Sequence, residues 1–122
     1  YPSGHFDVIY CVSVFTHLDE TLQDEWLNEL RRLLKPNGAV LFSVHGQNAA
    51  SGLVRGDRMT LNDYGFLHRR SRKLRGLVPD WYHTSWHSER YIVERTSRFF
   101  GCVAYSSTPG HLQDFVIARG PR

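Results

Sequence analysis

The sequence lacks the glycine pattern that nucleotide-binding loops use. None of its ten glycines forms a G-x-G pair with another. Such a pair lets backbone N–H groups approach a phosphate or a carboxylate closely. The chain therefore contains no local glycine-rich loop that could cradle a nucleotide.

Cysteines and long apolar runs are also scarce. The only two cysteines, Cys11 and Cys102, lie within apolar, strand-like runs. We therefore expect buried, reduced thiols and a cytoplasmic protein, with a disulfide as the less favoured alternative. No apolar run is long enough to span a membrane, and no secretory signal is evident. The 122 residues, 41% of them hydrophobic, suit one compact domain.

The clearest pattern that is present predicts a strand, a helix and a strand between Phe6 and His45. Residues 6–12 form a nearly unbroken apolar and β-branched run, typical of a strand buried on both faces. A second buried strand is predicted at residues 39–44, which makes the unit a right-handed parallel βαβ crossover. The helix between them has one apolar stripe, a capping residue at Asp19 or Thr21 and a stop at Pro36-Asn37-Gly38. The stripe consists of Leu22, Trp26, Leu30, Leu33 and Leu34.

Three motifs of this unit, taken in order, resemble those of class I S-adenosylmethionine-dependent methyltransferases. They are Phe6-Asp7-Val8-Ile9, Val14-Phe15-Thr16-His17-Leu18, and Leu33-Leu34-Lys35-Pro36-Asn37-Gly38 with the strand after it. In that family they match the fourth strand, the helix after it, and the fifth strand with its lead-in. The resemblance implies an α/β, Rossmann-like fold whose mixed sheet has parallel strands, an antiparallel last strand and the order 4-5-7-6.

The resemblance covers only the C-terminal half of the family's domain. The family's first strand, its glycine-rich loop and its ribose-binding acidic residue would all lie upstream of Tyr1. The resemblance therefore implies that S-adenosyl-L-methionine is the cofactor of the full-length protein, and we do not expect this fragment to bind it. An interior strand that lacks one neighbour has unpaired backbone groups, so we expect a homodimer through the Phe6–Val12 edge.

The resemblance also implies a cofactor-binding set at the carboxyl ends of the strands, where open α/β sheets bind ligands. The backbone at Cys11 would meet the methionyl amino group, and His17 matches a position that often contacts the cofactor. Val12 and Ser13 lie between them. Plain strand core for Cys11 and Val12, and a helix-entry role for His17, are equally weighted alternatives.

The rest of the chain divides into an insert at residues 46–87 and a helix with a terminal β-hairpin at residues 88–119. The insert has broken periodicity, with a short helix expected from about Asp57 to Tyr64 and a loop or weak hairpin from Phe66. We predict that Ser88 starts the last helix. The resemblance implies that the insert builds the acceptor pocket and its lid.

Aromatic residues and histidines cluster near the end of the insert. We expect an acceptor pocket here, with a surface aromatic cluster as the alternative; its predicted lining is Tyr82, His83, Trp86, His87 and, on the last turn, His111. Among these, His83, His87 and His111 are candidate general bases, because histidine ordinarily titrates near neutrality. Methyl transfer can also rely on alignment alone. No metal site is expected, because a third ligand near His83 and His87 is lacking. We further expect four histidines along one edge of the sheet: His17, His45, His83 and His111.

Positive charge is concentrated in one short stretch. The net charge is +3, and five cations fall within seven residues: Arg69, Arg70, Arg72, Lys73 and Arg75. Such a patch suggests a phosphate-bearing substrate or an RNA backbone, with a solvated basic loop as an equally weighted alternative. We expect these side chains to be exposed and outside the sheet core.

The resemblance implies a methyltransferase that transfers a methyl group from S-adenosylmethionine to a small-molecule acceptor, such as a sugar or another glycan precursor. The first alternative is an RNA methyltransferase that uses the basic patch on phosphates. The second is a non-catalytic half-domain that acts as an interaction module.

Overall fold

The computed structural model describes residues 1–122. Ten helices and strands follow one another along the chain. In order they are β1 (Phe6–Cys11), α1 (Glu20–Leu33), β2 (Leu34–Val44), α2 (Gln47–Ala50), α3 (Arg55–Tyr64), β3 (Phe66–Arg69), β4 (Thr84–His87), α4 (Glu89–Thr96), β5 (Phe100–Ser106) and β6 (Asp114–Pro121). Single 3₁₀ turns lie at Phe15–His17 and Arg72–Leu74.

The main sheet has the strand order β1-β2-β6-β5. β1 runs parallel to β2, whereas β6 is antiparallel to both of its neighbours, β2 and β5. The last strand of the chain is thus inserted between the second and the fifth. This arrangement confirms the predicted order 4-5-7-6 and the predicted α/β fold with a mixed sheet.

The helix of the crossover begins as predicted, but its buried face only partly matches the predicted stripe, of which Leu30 and Leu34 are buried. Asp19 caps α1, since its Oδ1 accepts the N–H of Leu22 at 2.9 Å. Gln23, Leu27 and Leu30 are buried, whereas Trp26 of the predicted stripe is exposed. The apolar pattern alone misplaced the stripe because Gln23 is polar, and its burial depends on carbonyl partners outside the helix.

The predicted stop at Pro36-Asn37-Gly38 is wrong, because β2 follows α1 directly at Leu34. The three residues form part of an irregularity in the β1–β2 pairing, which passes from Phe6↔Leu34 to Val8↔Ala39. A Cβ added at Gly38 would lie only 3.1 Å from the Asp7 carbonyl oxygen. Glycine is therefore needed here for close packing of the two strands.

The core lies between one face of the main sheet and the helices α1 and α4. Its buried residues include Phe42, Ile92 and Phe100, together with Leu27 and Leu30 of α1. The opposite face of the sheet is open, so Val8 and Tyr10 of β1 are 65% and 75% exposed. The prediction that β1 is buried on both faces is wrong for this structure, because only one layer of helices packs against it.

Both cysteines are free thiols, as predicted, but they differ in burial. Cys11 is half-buried and packs against the core, whereas Cys102 is exposed. Cys102 alternates along β5 with the half-buried Val103, so it lies on the open face of the sheet. The predicted burial of Cys102 is therefore wrong.

The insert contains a helix and a second small sheet. α3 ends at Gly65, whose left-handed φ of 94° suits glycine. β3 and β4 then pair antiparallel, with Phe66 opposite His87, so of the two alternatives predicted for this stretch the structure has the weak hairpin. Ser88 caps α4 as predicted, accepting the N–H of Tyr91 at 3.2 Å. None of the helices combines the length and apolar character that a membrane span requires.

Candidate functional site

The site lies beyond the carboxyl ends of the parallel strands β1 and β2. Directly after β1 the chain turns at Ser13, whose φ of 58° is in the left-handed region. The N–H of Ser13 donates to Ser43 Oγ at 2.8 Å, and its hydroxyl contacts the Gln113 amide at 2.8 Å. The turn after β1 is thereby attached to β2 and to the segment that leads into β6.

His17 is held against the insert by a reciprocal pair of hydrogen bonds. Its Nδ1 lies 2.8 Å from the His83 carbonyl oxygen, and the His83 N–H donates to the His17 carbonyl oxygen at 3.1 Å. The Tyr82 ring stacks on the His17 ring with centroids 4.2 Å apart. Because a carbonyl oxygen only accepts, His17 carries a proton on Nδ1.

His45 follows β2 and lies beside His17, with ring centroids 6.5 Å apart. Its Nδ1 donates to the Ser85 carbonyl oxygen at 3.0 Å. Burial lowers the pKa of His45. The hydrogen bond to Ser85 opposes this shift, and the nearby His17 adds a smaller decrease. The ring is therefore neutral near pH 7, and its Nε2 is free to accept a proton.

His68 is another histidine whose Nδ1 is bonded within the insert. The Ser85 hydroxyl donates to the Leu18 carbonyl oxygen at 2.5 Å, so it accepts a hydrogen bond from His68 Nδ1 at 2.7 Å. Burial lowers the pKa of His68. Sequence reasoning missed this residue, because its link to the rim depends on β3–β4 pairing.

His87 adjoins this edge through its backbone, since its N–H donates to the His45 carbonyl oxygen at 2.8 Å, but its ring is enclosed in the interior. Its side chain is fully buried, and its Nε2 lies 2.9 Å from Gln23 Oε1. Burial lowers the pKa of His87 to about 3. The prediction that His87 lines the acceptor pocket or serves as a general base is wrong, because a fully enclosed ring has no contact with solvent or ligand.

The remaining predicted residues lie at or near the edge in different settings. Trp86 is half-buried, packs against a small apolar cluster of the insert and has its ring 6.0 Å from that of His45. The half-buried Cys11 side chain packs against the core, and burial raises the pKa of its thiol. His111 is exposed on the β5–β6 loop, which Asn48 ties to the end of β2 through the Thr108 carbonyl at 3.3 Å.

The structure therefore places His17, His45, His83 and His111 at one edge, and the first three are in direct contact or close to one another. His45 was expected at the rim but was not predicted as a base. Its position directly after a parallel strand is the signal that could have indicated it.

Comparison with known proteins identifies the family of the chain. A family model described as a methyltransferase domain matches residues 1–99 of the chain. The chain belongs to this methyltransferase family. A chemotaxis protein methyltransferase of Salmonella typhimurium is 44% identical over 52 residues, which are 43% of this chain and 17% of that protein.

Solved structures agree with this assignment at the level of the fold. The Burkholderia thailandensis 1,6-didemethyltoxoflavin-N1-methyltransferase, solved with 1,6-didemethyltoxoflavin and S-adenosylhomocysteine, matches with a TM-score of 0.65 and 13% identity, over 100% of this chain and 47% of that chain. A SAM-dependent methyltransferase of Methanosarcina mazei matches with a TM-score of 0.62 and 18% identity, over 99% of this chain and 62% of that chain. The methyltransferase chain thus spans only 17% to 62% of these three relatives.

The segment after β1 is open to a ligand such as S-adenosylmethionine. Val12 is exposed beside the Ser13 turn, which leaves an open backbone segment at the end of β1. Asp114, which begins β6 opposite the last residue of β2, is buried and already bonded to the Tyr105 hydroxyl at 2.5 Å and the Thr108 N–H at 2.9 Å. It is therefore engaged within the protein and is not free to bind a ribose.

Gly46 allows that carboxylate to pack against the end of β2. A Cβ at this position would lie 1.9 Å from Asp114 Oδ2 and 2.4 Å from the Tyr105 hydroxyl. Burial and the bonded carboxylate raise the pKa of Tyr105. The Asp114–Tyr105 pair thus supports the edge structurally. No group of three or more His, Cys, Asp or Glu side chains is placed to hold a metal ion.

The basic patch is divided by its contacts. Arg69 pairs with Asp57 at 3.0 Å. Three other cations, Arg70, Arg72 and Arg75, line a cavity beside His83. Lys73 is exposed and lies outside that lining. The patch lies outside the sheet core, as expected.

Proposed function

We propose that this methyltransferase domain takes part in moving a methyl group from S-adenosylmethionine to a hydroxyl group of a small-molecule acceptor, such as a sugar or another glycan precursor. The observation that carries the proposal is the pair of His17 and His45 at the carboxyl edge of β1 and β2. Their rings lie 6.5 Å apart, and each is oriented by a backbone carbonyl of the insert.

The donor side of the site is assigned to the segment after β1. Bound S-adenosylmethionine would supply a methyl group activated by a positively charged sulfur. The backbone from Cys11 to Ser13, with the exposed Val12 side chain, would form one wall for it. His17 lies on the next turn of the chain, where its fixed ring would close the same wall.

The acceptor side is assigned to His45, Tyr82 and His83. His45 is the proposed proton acceptor, because its pKa is lowered by burial and its Nδ1 is bonded, which leaves Nε2 unprotonated near pH 7. Tyr82, stacked on His17, would orient an acceptor across the rim. Holding the acceptor in line with the methyl group supplies much of the rate enhancement in such a transfer.

We further propose that S-adenosylmethionine binding needs more than these 122 residues. The chain has no G-x-G pair, and Asp114, the buried carboxylate at the start of β6, is already bonded. Calorimetric titration of this chain should therefore show no binding, whereas the full-length protein should bind S-adenosylmethionine. Equal binding by both would contradict this part of the proposal.

Methyl transfer in the full-length protein tests the role of His45. The assay follows labelled methyl groups onto a panel of sugars and sugar phosphates. His45→Gln should lower kcat by about 10²–10⁴-fold, the range attributed to general acid–base catalysis, with little change in KM. Wild-type activity should fall as the pH drops below 6.5, because protonated His45 cannot accept a proton and its pKa lies below that ordinary value.

His5→Gln is the matched control, because His5 precedes the amino end of β1 and is exposed. It should leave kcat and the pH profile unchanged. If His45→Gln retained full activity, alignment without a base would account for the reaction. Absence of methyl transfer to every acceptor in the full-length protein would instead favour a non-catalytic interaction module.

A further inference from the structure

The basic stretch of the insert borders a cavity of about 260 Å³, which adjoins the proposed acceptor side at His83. It is lined by Arg70, Ser71, Arg72, Leu74, Arg75, Val78, Asp80 and His83. Complete small-ligand sites usually measure about 300–1,000 Å³. The cavity therefore has the size of a subsite that receives one end of a ligand.

The charged groups of this cavity have no partners within the protein. Arg69 forms an ion pair with Asp57, but no ion pair or side-chain hydrogen bond engages Arg70, Arg72 or Arg75. Three guanidinium groups and one carboxylate, that of Asp80, leave the lining with a net charge of +2. An anion with two negative charges would complement it.

His83 supplies a second and independent sign of a ligand. Its side chain is only 5% exposed, and neither Nδ1 nor Nε2 has a hydrogen-bond partner. Buried polar atoms are nearly always paired, because an unpaired one loses its water without compensation. A ligand oxygen within the cavity would satisfy one of these ring nitrogens.

We propose that this cavity binds the phosphate monoester of the acceptor. A phosphate presents three oxygens and up to two charges, which suits several guanidinium groups and one ring nitrogen, whereas a single arginine can satisfy a carboxylate in a bidentate manner. The phosphate would lie against Arg70, Arg72, Arg75 and His83.

The position of the cavity connects it with the methyl-transfer edge. His83 is bonded through its backbone to His17 in both directions, and the adjacent Tyr82 stacks on the His17 ring. An acceptor held by its phosphate at His83 would extend past Tyr82 towards His45. Only this orientation rests on the proposed function; binding of the phosphate does not.

The enclosed histidine favours a small phosphate ester over an RNA backbone. An RNA strand is held by exposed cations along a track, and the binding weakens steeply with salt. Here Lys73 and the arginines at 70, 72 and 75 are all exposed, but only the three arginines line the cavity, and Arg69 is paired with Asp57. The cations that remain unpaired converge on one cavity.

Calorimetric titration with inorganic phosphate, without S-adenosylmethionine, tests the subsite directly. Arg72→Gln and Arg75→Gln should each weaken phosphate binding by about 10-fold or more, as expected for the loss of a charge-assisted hydrogen bond. Lys73→Gln removes the same charge from the same turn and should change binding by less than about 2-fold, because an exposed charge outside the cavity acts only through solvent. Equal weakening by all three variants would overturn the proposal.

His83→Gln tests the buried ring and should also weaken phosphate binding. If circular dichroism shows that this variant does not fold, the two arginine variants decide the outcome. Glucose 1-phosphate and a short oligouridylate then separate the two sources of phosphate. Tighter binding of glucose 1-phosphate, with a shallow salt dependence, supports the subsite. The oligouridylate carries no 3′ or 5′ terminal phosphate. Its tighter binding, with a steep salt dependence, would overturn the subsite in favour of an RNA track.

Failure of the subsite and failure of the proposed function have different signatures. Absence of phosphate binding with intact methyl transfer would remove only the subsite. Phosphate binding that depends on Arg72 and Arg75, without methyl transfer in the full-length protein, would retain the subsite and remove the reaction.

Discussion

The buried contact between His87 and Gln23 makes the stability of this domain depend on pH. The Gln23 amide nitrogen donates to the carbonyl oxygens of Phe15 at 3.2 Å and Leu18 at 3.0 Å, so its oxygen faces His87. Because that oxygen only accepts, His87 holds its proton on Nε2. Its Nδ1 is buried without a partner, so a second proton would place an unpaired charge in the core.

The size of the effect follows from the pKa of His87. Burial lowers this pKa from 6.5 to about 3 in the folded state, whereas the unfolded chain keeps the ordinary value. The unfolded state then binds more protons at acidic pH, so the free energy of unfolding decreases as the pH falls from about 6.5 towards 3. Between pH 7 and pH 5 the expected loss is about 2 kcal/mol, a large part of a typical domain stability of about 5–15 kcal/mol.

Urea unfolding at pH 7, 6 and 5 measures this loss, and His87→Gln isolates its source. Glutamine keeps an N–H donor towards Gln23 but does not titrate, so the variant should lose about 2 kcal/mol less than the wild type between pH 7 and pH 5. His5→Gln removes an exposed histidine and should follow the wild type. The reasoning would be refuted if the curves of the wild type and His87→Gln ran parallel.

Three further changes test the packing of the domain. Arg95→Ala removes ion pairs of 2.9 Å and 2.6 Å that join α4 to α1 and should cost about 1–3 kcal/mol in urea unfolding. Arg90→Ala, in an exposed pair on α4, should leave the unfolding curve nearly unchanged. Gly46→Ala should lower the melting temperature through the overlap with the buried carboxylate beside it, while Gly52→Ala, with no atom near the added Cβ, should not, and equal effects would contradict the packing. We propose that the chain forms a homodimer through the open edge of β1. Tyr10→Lys should therefore shift the sedimentation of the protein towards that of a monomer. A wild type that sediments as a monomer at high concentration would contradict this proposal.

Much of the fold could be predicted because it depends on short-range patterns. The buried run of β2 and the caps at Asp19 and Ser88 are local features, and the structure confirms them. Gly65 likewise ends α3 as expected, because a left-handed residue at a helix end is favourable for glycine. The strand order could be predicted only from the family resemblance, because apolar runs do not indicate which strands pair.

The candidate site was predictable in its location but not in its roles. His83 and His87 have the same residue type and lie four positions apart, His83 directly before β4 and His87 at its end, and their sequence context does not separate them. In the structure His87 is bonded to Gln23, 64 residues away, whereas His83 faces a cavity of arginines. Pairing of this kind is set by tertiary contacts, so no local pattern could distinguish the two.

The sequence by itself determined the helices and strands, the methyltransferase family and the edge at which polar side chains collect, because these follow from periodicity, caps and motif order. Only the tertiary structure decided which histidine is neutral and enclosed, which is free to accept a proton and which faces unpaired arginines. It also decided that β1 has an open face. The apolar residues of a strand indicate that it can be buried, but they do not indicate whether a second layer of structure packs against it. Burial and hydrogen-bond partners arise from residues far apart in the chain, and they set the chemistry of each side chain.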